Sequence, residues 1–257
     1  MIRMTPLATN SENAKGFTLV EMAMVLAIVA LLLTGLVPTI SGQLEQRRSA
    51  ETKKQLEEIQ QALIGFAIIN GHLPCPASLA SDGLENRSGG ICNGSDATHY
   101  DGYIPGATLG LSYLDDRGLV LDAWDNPIRY AITGWNKTTA PTQTDVYTTA
   151  GGMKTVGLSS LSPSLLVCNT ATGISGGQCA AGEALTADPG VPAVIFSTGK
   201  NGAGTGTDEG ENTDADKFFV SHTQTADGNP NGEFDDLVVW ISNQVLLNKM
   251  VSAGTLP

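Results

Sequence analysis

The stretch GFTLVEMAMVLAIVALLLTGLVPTI, residues 16–40, decides how the rest of the chain is read. Phe17 to Ile40 is the only long apolar run in the sequence. As a helix rising about 1.5 Å per residue it spans about 36 Å, enough to cross a bilayer's hydrocarbon core. Within it stands one carboxylate, Glu21. An ionisable side chain at the apolar centre of a bilayer costs roughly 2.5–3.5 kcal/mol on insertion scales, so such a residue needs a partner. Pro38, near the far end, is placed to kink a helix without ending it. A secretory signal would place a small-residue cleavage site after the run. Here the run continues into SGQLEQRRSAETKKQLEE. Arg47, Arg48, Lys53 and Lys54 make the far side at least as basic as the leader MIRMTPLATNSENAKG, so flanking charge does not set orientation.

The bulk numbers bound the answer. The chain has 257 residues, enough for one sizeable domain beside a membrane segment. It carries 26 acidic against 14 basic residues, net −12, which disfavours a nucleic-acid binder needing a basic face. Thirty glycines and 5% aromatics point to a loop-rich β domain. The four cysteines, Cys75, Cys92, Cys168 and Cys179, form no C-x-x-C pair, so a zinc ribbon or thioredoxin-like motif is disfavoured. If that side of the membrane is oxidising, they read as two disulfides. Of the three possible pairings, Cys75–Cys92 and Cys168–Cys179 are favoured because short loops close most readily. Each closure stabilises by up to about 3 kcal/mol in the loop-entropy model.

The run KGFTLVEMAMVLAIVALLLTG resembles the N-terminus of the type IV pilin and pseudopilin family. The resemblance implies cleavage by an inner-membrane prepilin peptidase between Gly16 and Phe17, then methylation of the new Phe17 amine. Glu21 takes the family's glutamate position and Pro38 its helix-kinking proline. It also implies a partner for Glu21: the N-terminal amine of a neighbouring subunit. A buried carboxylate opposite a buried ammonium is far less costly than either alone.

Beyond Ile40 the pattern predicts a helix to about Asn70. Leu56, Ile59, Leu63 and Phe66 recur at steps of three, four and three on one face. Gly71 is placed as the helix stop. The section from 71 to about 118 is punctuated by Pro, Gly, Asn and Asp and needs a tether, which Cys75–Cys92 supplies. DAWDNPIRYAIT predicts a turn at Asp125-Asn126-Pro127 and a strand carrying Ile128, Tyr130 and Ile132. It resembles a turn-plus-strand of the major pseudopilin of type II secretion, with Trp124 and Tyr130 as structural anchors. SLLVCNT, AVIFSTG, KFFVSHT and DDLVVWIS are further strand candidates, and SNQVLLNKMVSAGTLP ends the chain as a short helix. The expected fold is α+β and pilin-like: one long helix packed on an antiparallel sheet. The expected organisation is a leader at 1–16, a long helix at 17–70 with its transmembrane and assembly part at 17–40, and a periplasmic β-rich domain at 71–257.

Residues 197–219, STGKNGAGTGTDEGENTDADKFF, gather carboxylates and amides among glycines. Hard cations such as calcium take six to eight oxygens from such groups. The segment resembles the major pseudopilin's calcium loop, which implies Asn201, Asp208, Glu211, Asp214 and Asp216 as candidate ligands. A solvated acidic loop is the alternative. Residues 227–236, DGNPNGEFDD, open like an EF-hand, but Val238 stands where the twelfth-position Glu belongs, so a hairpin turn at Asn231-Gly232 is favoured. There is no G-x-S-x-G elbow and no P-loop, and His72, His99 and His222 are scattered, each expected in a loop or at the surface.

The sequence thus points to a non-enzymatic structural subunit of a type IV pilus-like filament or a type II secretion pseudopilus. The expected partners are a prepilin peptidase, other subunits and an inner-membrane assembly platform, with no nucleic acid. No cofactor is required beyond possible calcium. The precursor is expected as a single-pass inner-membrane protein with its globular domain in the periplasm, and the assembled form as a periplasmic pseudopilus or a surface pilus. The alternatives are a minor, tip-associated subunit acting as adhesin or substrate recruiter and, less favoured, a membrane-anchored periplasmic enzyme.

Overall fold

The computed structural model describes residues 16–93, 99–134, 145–202, 204 and 206–257, apart from the side chains of 33–41. Two compact units divide the chain between Arg47 and Arg48. Helix α1 runs from Leu19 to Asn70, as the apolar run and the following stripe predict. Among the described residues no helix is long and apolar enough to cross a membrane. The expected span at 17–40 is completed by residues 33–41, and those side chains, Pro38 included, lie outside the described residues. From Phe17 to Leu32 every described side chain is exposed, Phe17 at 79% and Leu19 at 90%.

In the second unit α1 becomes one-sided. Leu56, Ile59, Leu63 and Ala67 are fully buried, with Thr52 extending the stripe one turn earlier. Phe66 lies at the margin of that stripe, edge-on to His72, and Ala67 takes the buried position instead. The opposite face carries the Lys54–Glu58 pair at 3.5 Å, an exposed i,i+4 contact of little energetic weight. Gly71 ends the helix with a positive φ of 74°, and its N–H donates to the Ala67 carbonyl.

The elements that follow are β1 (Arg87–Ser88), β2 (Ile91–Cys92), β3 (His99–Tyr103), α2 (Gly106–Leu109), β4 (Arg129–Thr133), α3 (Gly152–Val156), β5 (Leu166–Cys168), β6 (Ala193–Ser197), α4 (Thr207–Thr213), β7 (Phe218–Val220), β8 (Leu237–Ile241) and α5 (Asn243–Ser252). The main sheet is antiparallel, in the order β3-β4-β6-β8. Alternation along its strands sorts the side chains into two layers. Tyr130, Ile132, Ala193, Ile195, Leu237, Val239 and Ile241 share one cluster with the α1 stripe. Ala131, Val194, Phe196, Val238 and Trp240 face the other way, onto Leu165, Val167, Val191 and Phe219. The architecture is α+β, consistent with a pilin-like arrangement.

Three features depart from the sequence reading. β5 and β7 pair in parallel, where only antiparallel strands were expected. α4 forms inside the segment read as a loop. β3 arises within the section expected to be irregular, because its Asp101-Gly102 step reads as a turn. Gly102 is required there by close approach: a Cβ would sit 2.4 Å from the Ala77 carbonyl oxygen.

Both disulfides form as favoured, Cys75–Cys92 and Cys168–Cys179, with Cα separations of 5.3 and 5.6 Å. The DAWDNP turn is organised by Asp122. One of its carboxylate oxygens accepts from the Trp124 and Asn126 amides at 2.9 Å, and the other accepts from the Ser197 hydroxyl. Tyr130 is fully buried and its hydroxyl donates to the Pro74 carbonyl, so it anchors the first loop to the sheet.

The stripe is the contact on which this packing rests. Leu63→Ala, in the full chain held in detergent, is expected to lower unfolding free energy by about 2–5 kcal/mol. Urea titration followed by tryptophan fluorescence measures it, and a loss within experimental error of zero would remove the stripe from the core.

Candidate functional site

The N-terminal segment starts with a local hydrogen-bond pattern. The Thr18 backbone N–H and hydroxyl both donate to Glu21 Oε2 at 2.9 Å, and the Glu21 N–H donates to Thr18 Oγ1 at 3.2 Å. This is a capping box: the cap residue and the residue three positions on satisfy each other's orphan amides at the start of α1. Within one chain Glu21 therefore already has polar partners, from a Thr-x-x-Glu spacing visible in the sequence. Gly16 precedes the helix, exposed. A Cβ there would meet nothing within 4 Å, and its φ is not in the left-handed region. Nothing in the described surroundings requires glycine at this position.

The acidic segment 197–219 does not converge on one point. α4 advances about 100° per residue, so its neighbouring carboxylates fan outward. Asp208, 3% exposed, accepts from the Ala171 amide, the Thr170 hydroxyl and the Asn231 amide, and contacts His222 Nε2 at 3.2 Å. Glu209, fully buried, accepts from the Asn201 side chain at 3.0 Å and from the Asp235 amide at 2.8 Å. Glu211 meets Asp214 and Asp216, with one oxygen of each within 4.8 Å of the others. Of the five expected ligands, Glu211, Asp214 and Asp216 therefore come together. Asn201 and Asp208 are drawn off by Glu209 and by the Thr170–Asn231–His222 group.

The Glu211 group offers only hard oxygen donors. Burial pushes the Glu211 carboxyl up to about 7, with the neighbouring Asp214, Asp216 and Asp208 charges adding to it. Asp214 and Asp216 are raised as well, chiefly by burial. Three carboxylates that resist ionising together are what a divalent cation would neutralise. The cluster could hold a metal ion.

A second carboxylate group, which the sequence reading missed, joins Glu209 to Asp235 and Asp236 within the same 4.8 Å limit. Burial raises Asp236 to about 8 and Asp235 to about 6, and Glu209 reinforces both. Asp236 also accepts from Asn212 Nδ2 at 2.7 Å, which opposes the rise without cancelling it. The paired acids that close DGNPNGEFDD and open DDLVVWIS were the available signal, read there only as part of a hairpin segment and a strand candidate.

His72 and His222 lie in loops, as expected, whereas His99 opens β3 and is buried. His99 is 5% exposed, with Nε2 at 2.8 Å from Asp101 and 2.9 Å from the Ala215 carbonyl. His222 stacks on Phe234 with ring centroids 3.9 Å apart, and its Nδ1 lies 2.7 Å from the Thr223 carbonyl. Residues 226–233 form a longer hairpin loop closed by Thr225 and Phe234, which exchange backbone hydrogen bonds, and the tight turn falls one residue earlier than expected: the Gly232 N–H donates to the Asn229 carbonyl, which centres it on Pro230-Asn231.

A carboxyl raised above its unfolded value near 4 favours the folded state while protonated, and that contribution is lost as pH climbs through the folded value. Asp235, Glu211 and Asp236 place this loss between about pH 4 and about pH 8. With a chelator present, the melting temperature of the full chain in detergent is expected to fall across that range. Asp236→Asn is expected to flatten the part between pH 6 and 8, and an unchanged slope would mean that Asp236 ionises freely in the fold.

Residues 12–37 match a family model described as the prokaryotic N-terminal methylation motif, the signature of type IV pilins and pseudopilins. The match does not reach the segments at 122–130 and 197–219 that resemble the major pseudopilin of type II secretion. No curated protein and no solved structure matches the chain. By that motif, at the start of an α+β domain, the chain carries the N-terminal signature of a pilin-like or pseudopilin subunit.

Proposed function

We propose that this protein is a structural subunit of a type IV pilus-like or type II secretion pseudopilus filament, made as an inner-membrane precursor with its globular domain in the periplasm. A prepilin peptidase cleaves between Gly16 and Phe17, the Phe17 amine is methylated, and an inner-membrane platform adds the subunit through α1. The observation that carries this reading is the exposure of every described side chain from Phe17 to Leu32 in a chain bearing the methylation motif. A helix apolar on all sides needs lipid or other helices around it. Residues 17–40 are read as that membrane and assembly segment, with Pro38 as its kink.

Gly16 supports the cleavage reading. Its freedom from local steric demand suits a residue selected by an enzyme that must reach the backbone. For Glu21 the capping box adds a stage to the family expectation. Thr18 holds the carboxylate in the single chain, and in the filament the Phe17 amine of an adjacent subunit becomes its ionic partner. Replacing a hydrogen-bond partner by an opposite charge strengthens the contact most where water is excluded. A second reading, a minor tip-associated subunit, draws on the section at 71–127 that Cys75–Cys92 ties down.

Mass spectrometry of the mature protein from cells with and without the peptidase tests the assignment. The expected product begins at methylated Phe17, and a product that keeps Met1 or is cut after residue 40 would overturn it. In the same cells Glu21→Ala is expected to be cleaved normally but to be missing from sheared filaments. Incorporation equal to wild type would rule out the Phe17–Glu21 pairing.

The donor set at Glu211, Asp214 and Asp216 is proposed to bind calcium weakly, as extracellular sites do. Millimolar calcium is expected to raise the melting temperature of the full chain in detergent by several degrees at pH 7.5. Asp214→Asn should abolish the shift. No shift in the wild-type protein would leave the segment as a solvated acidic surface.

A further inference from the structure

Among the described residues the main sheet ends at β8, which pairs there with β6 alone. Which backbone groups of β8 face outward follows from the ladder. Thr133 donates to the Pro192 carbonyl, so these two form a hydrogen-bonded pair between β4 and β6. Hydrogen-bonded pairs alternate along an antiparallel ladder. Val194 and Phe196 therefore bond β4, and Ala193, Ile195 and Ser197 bond Ile241, Val239 and Leu237 of β8. That leaves the N–H and C=O groups of Val238 and Trp240 pointing away from the sheet. Two contacts agree with this parity: Gln60 Nε2 donates to the Trp240 carbonyl at 2.7 Å, and Phe234, two steps further along the same edge, bonds Thr225.

The strand that pairs at Thr225 then leaves the edge. Segment 221–224 stays opposite 236–239, but among the described residues no backbone hydrogen bond joins them. Between them lies a groove of about 420 Å³, with Lys53, Leu56 and Glu57 of α1 completing its walls. Its length along β8 suits about three residues of extended chain at ~3.3 Å each. The groove thus runs beside the outward N–H and C=O groups of Val238. Such an edge is a template for another strand unless it is blunted by charge, proline or a bulge. Gln60 blunts it at Trp240, and Lys53 brings one charge to the groove wall, which leaves Val238 open among the described residues.

Charge selects the occupant. Glu57 lines the groove against Lys53, and Asp236 borders it with Glu209 and Asp235 within 4.8 Å, a group of buried carboxylates that resist ionising together and that an added cation would let ionise. Residues 71–257 as a whole hold 20 acidic and 8 basic residues. We propose that the β8 edge and its groove form a docking site for an extended, basic segment of another polypeptide, which adds to the sheet as a fifth strand beside β8. Backbone hydrogen bonds to Val238 supply sequence-tolerant binding, and a lysine or arginine over Asp236 and Glu57 supplies the preference.

The test uses the full chain in detergent and a fluorescein-labelled nonapeptide of alternating lysine and valine, followed by anisotropy. The peptide is expected to bind. Copies carrying N-methyl groups on alternate amides, or glutamate for lysine, should each bind at least about tenfold more weakly. Val238→Pro removes an outward N–H that β6 does not use, so the edge should tolerate it in folding while losing the peptide. Amide exchange gives an independent readout in the unmodified protein. The Val238 amide should exchange fast when free and slow with peptide, whereas Val239 should be slow in both. No binding, equal binding of the N-methylated copy, or unchanged exchange at Val238 would overturn the proposal, the second by reducing it to adsorption on an acidic surface.

Discussion

One helix lives in two solvents. For its first turns α1 is apolar on every side and exposed on every side, and beyond Arg48 it buries one stripe and hydrates the rest. These halves obey different rules. A one-sided stripe is satisfied by the chain's own sheet. An all-round apolar surface cannot be satisfied within the described residues of this chain and has to find lipid or other subunits. The globular unit accordingly closes its core using only residues from Thr52 onward: the stripe, two sheet layers and a C-terminal helix that returns Leu246 and Met250 to the same cluster.

Glu21 sits in the first of these solvents, and its position at the helix start is what makes it tolerable. A carboxylate in mid-helix would have only side chains to turn to. Three residues after Thr18 it can accept from an amide that the helix leaves orphaned in any case. The negative charge also lies at the positive end of the helix dipole. The same placement would bring it near the chain start that the proposed cleavage after Gly16 would create. An assembly role for Glu21 therefore demands no rearrangement of the helix, only an exchange or sharing of the partner that Thr18 already provides.

Much of the fold could be read from local pattern. The stripe at 56, 59 and 63, the glycine stop at 71, five of the strands, the cysteine pairing and the final helix all depend on neighbours in sequence. What failed depends on distant contacts or on small deviations of phase. Phe66 sits one residue from the buried position that Ala67 takes, because 3.6 residues per turn carries a three-four-three pattern off the seam. β3 hides behind Asp101-Gly102, since the glycine answers to the Ala77 backbone and not to a turn. The parallel pairing of β5 with β7 has no local signature at all, because parallel neighbours are joined by long crossovers.

The acidic loop shows why composition alone misplaces a site. Asp208, Glu209 and Glu211 are close in sequence, and a loop could have folded them around one ion. The seven residues of α4 send them in three directions instead, to His222 and Asn231, to Asn201 and Asp235, and to Asp214 and Asp216. Each destination then acquires its own electrostatics. Asp208 is surrounded by donors, whereas Glu209 and Glu211 each join a group of carboxylates with no cation among its members. Those two groups are the costly ones, because burial and like charge both oppose ionisation. One of them borders the open edge of β8 through Asp236. The open strand edge and this carboxylate group thus meet along one wall of the domain, so a positively charged extended segment could satisfy both at once.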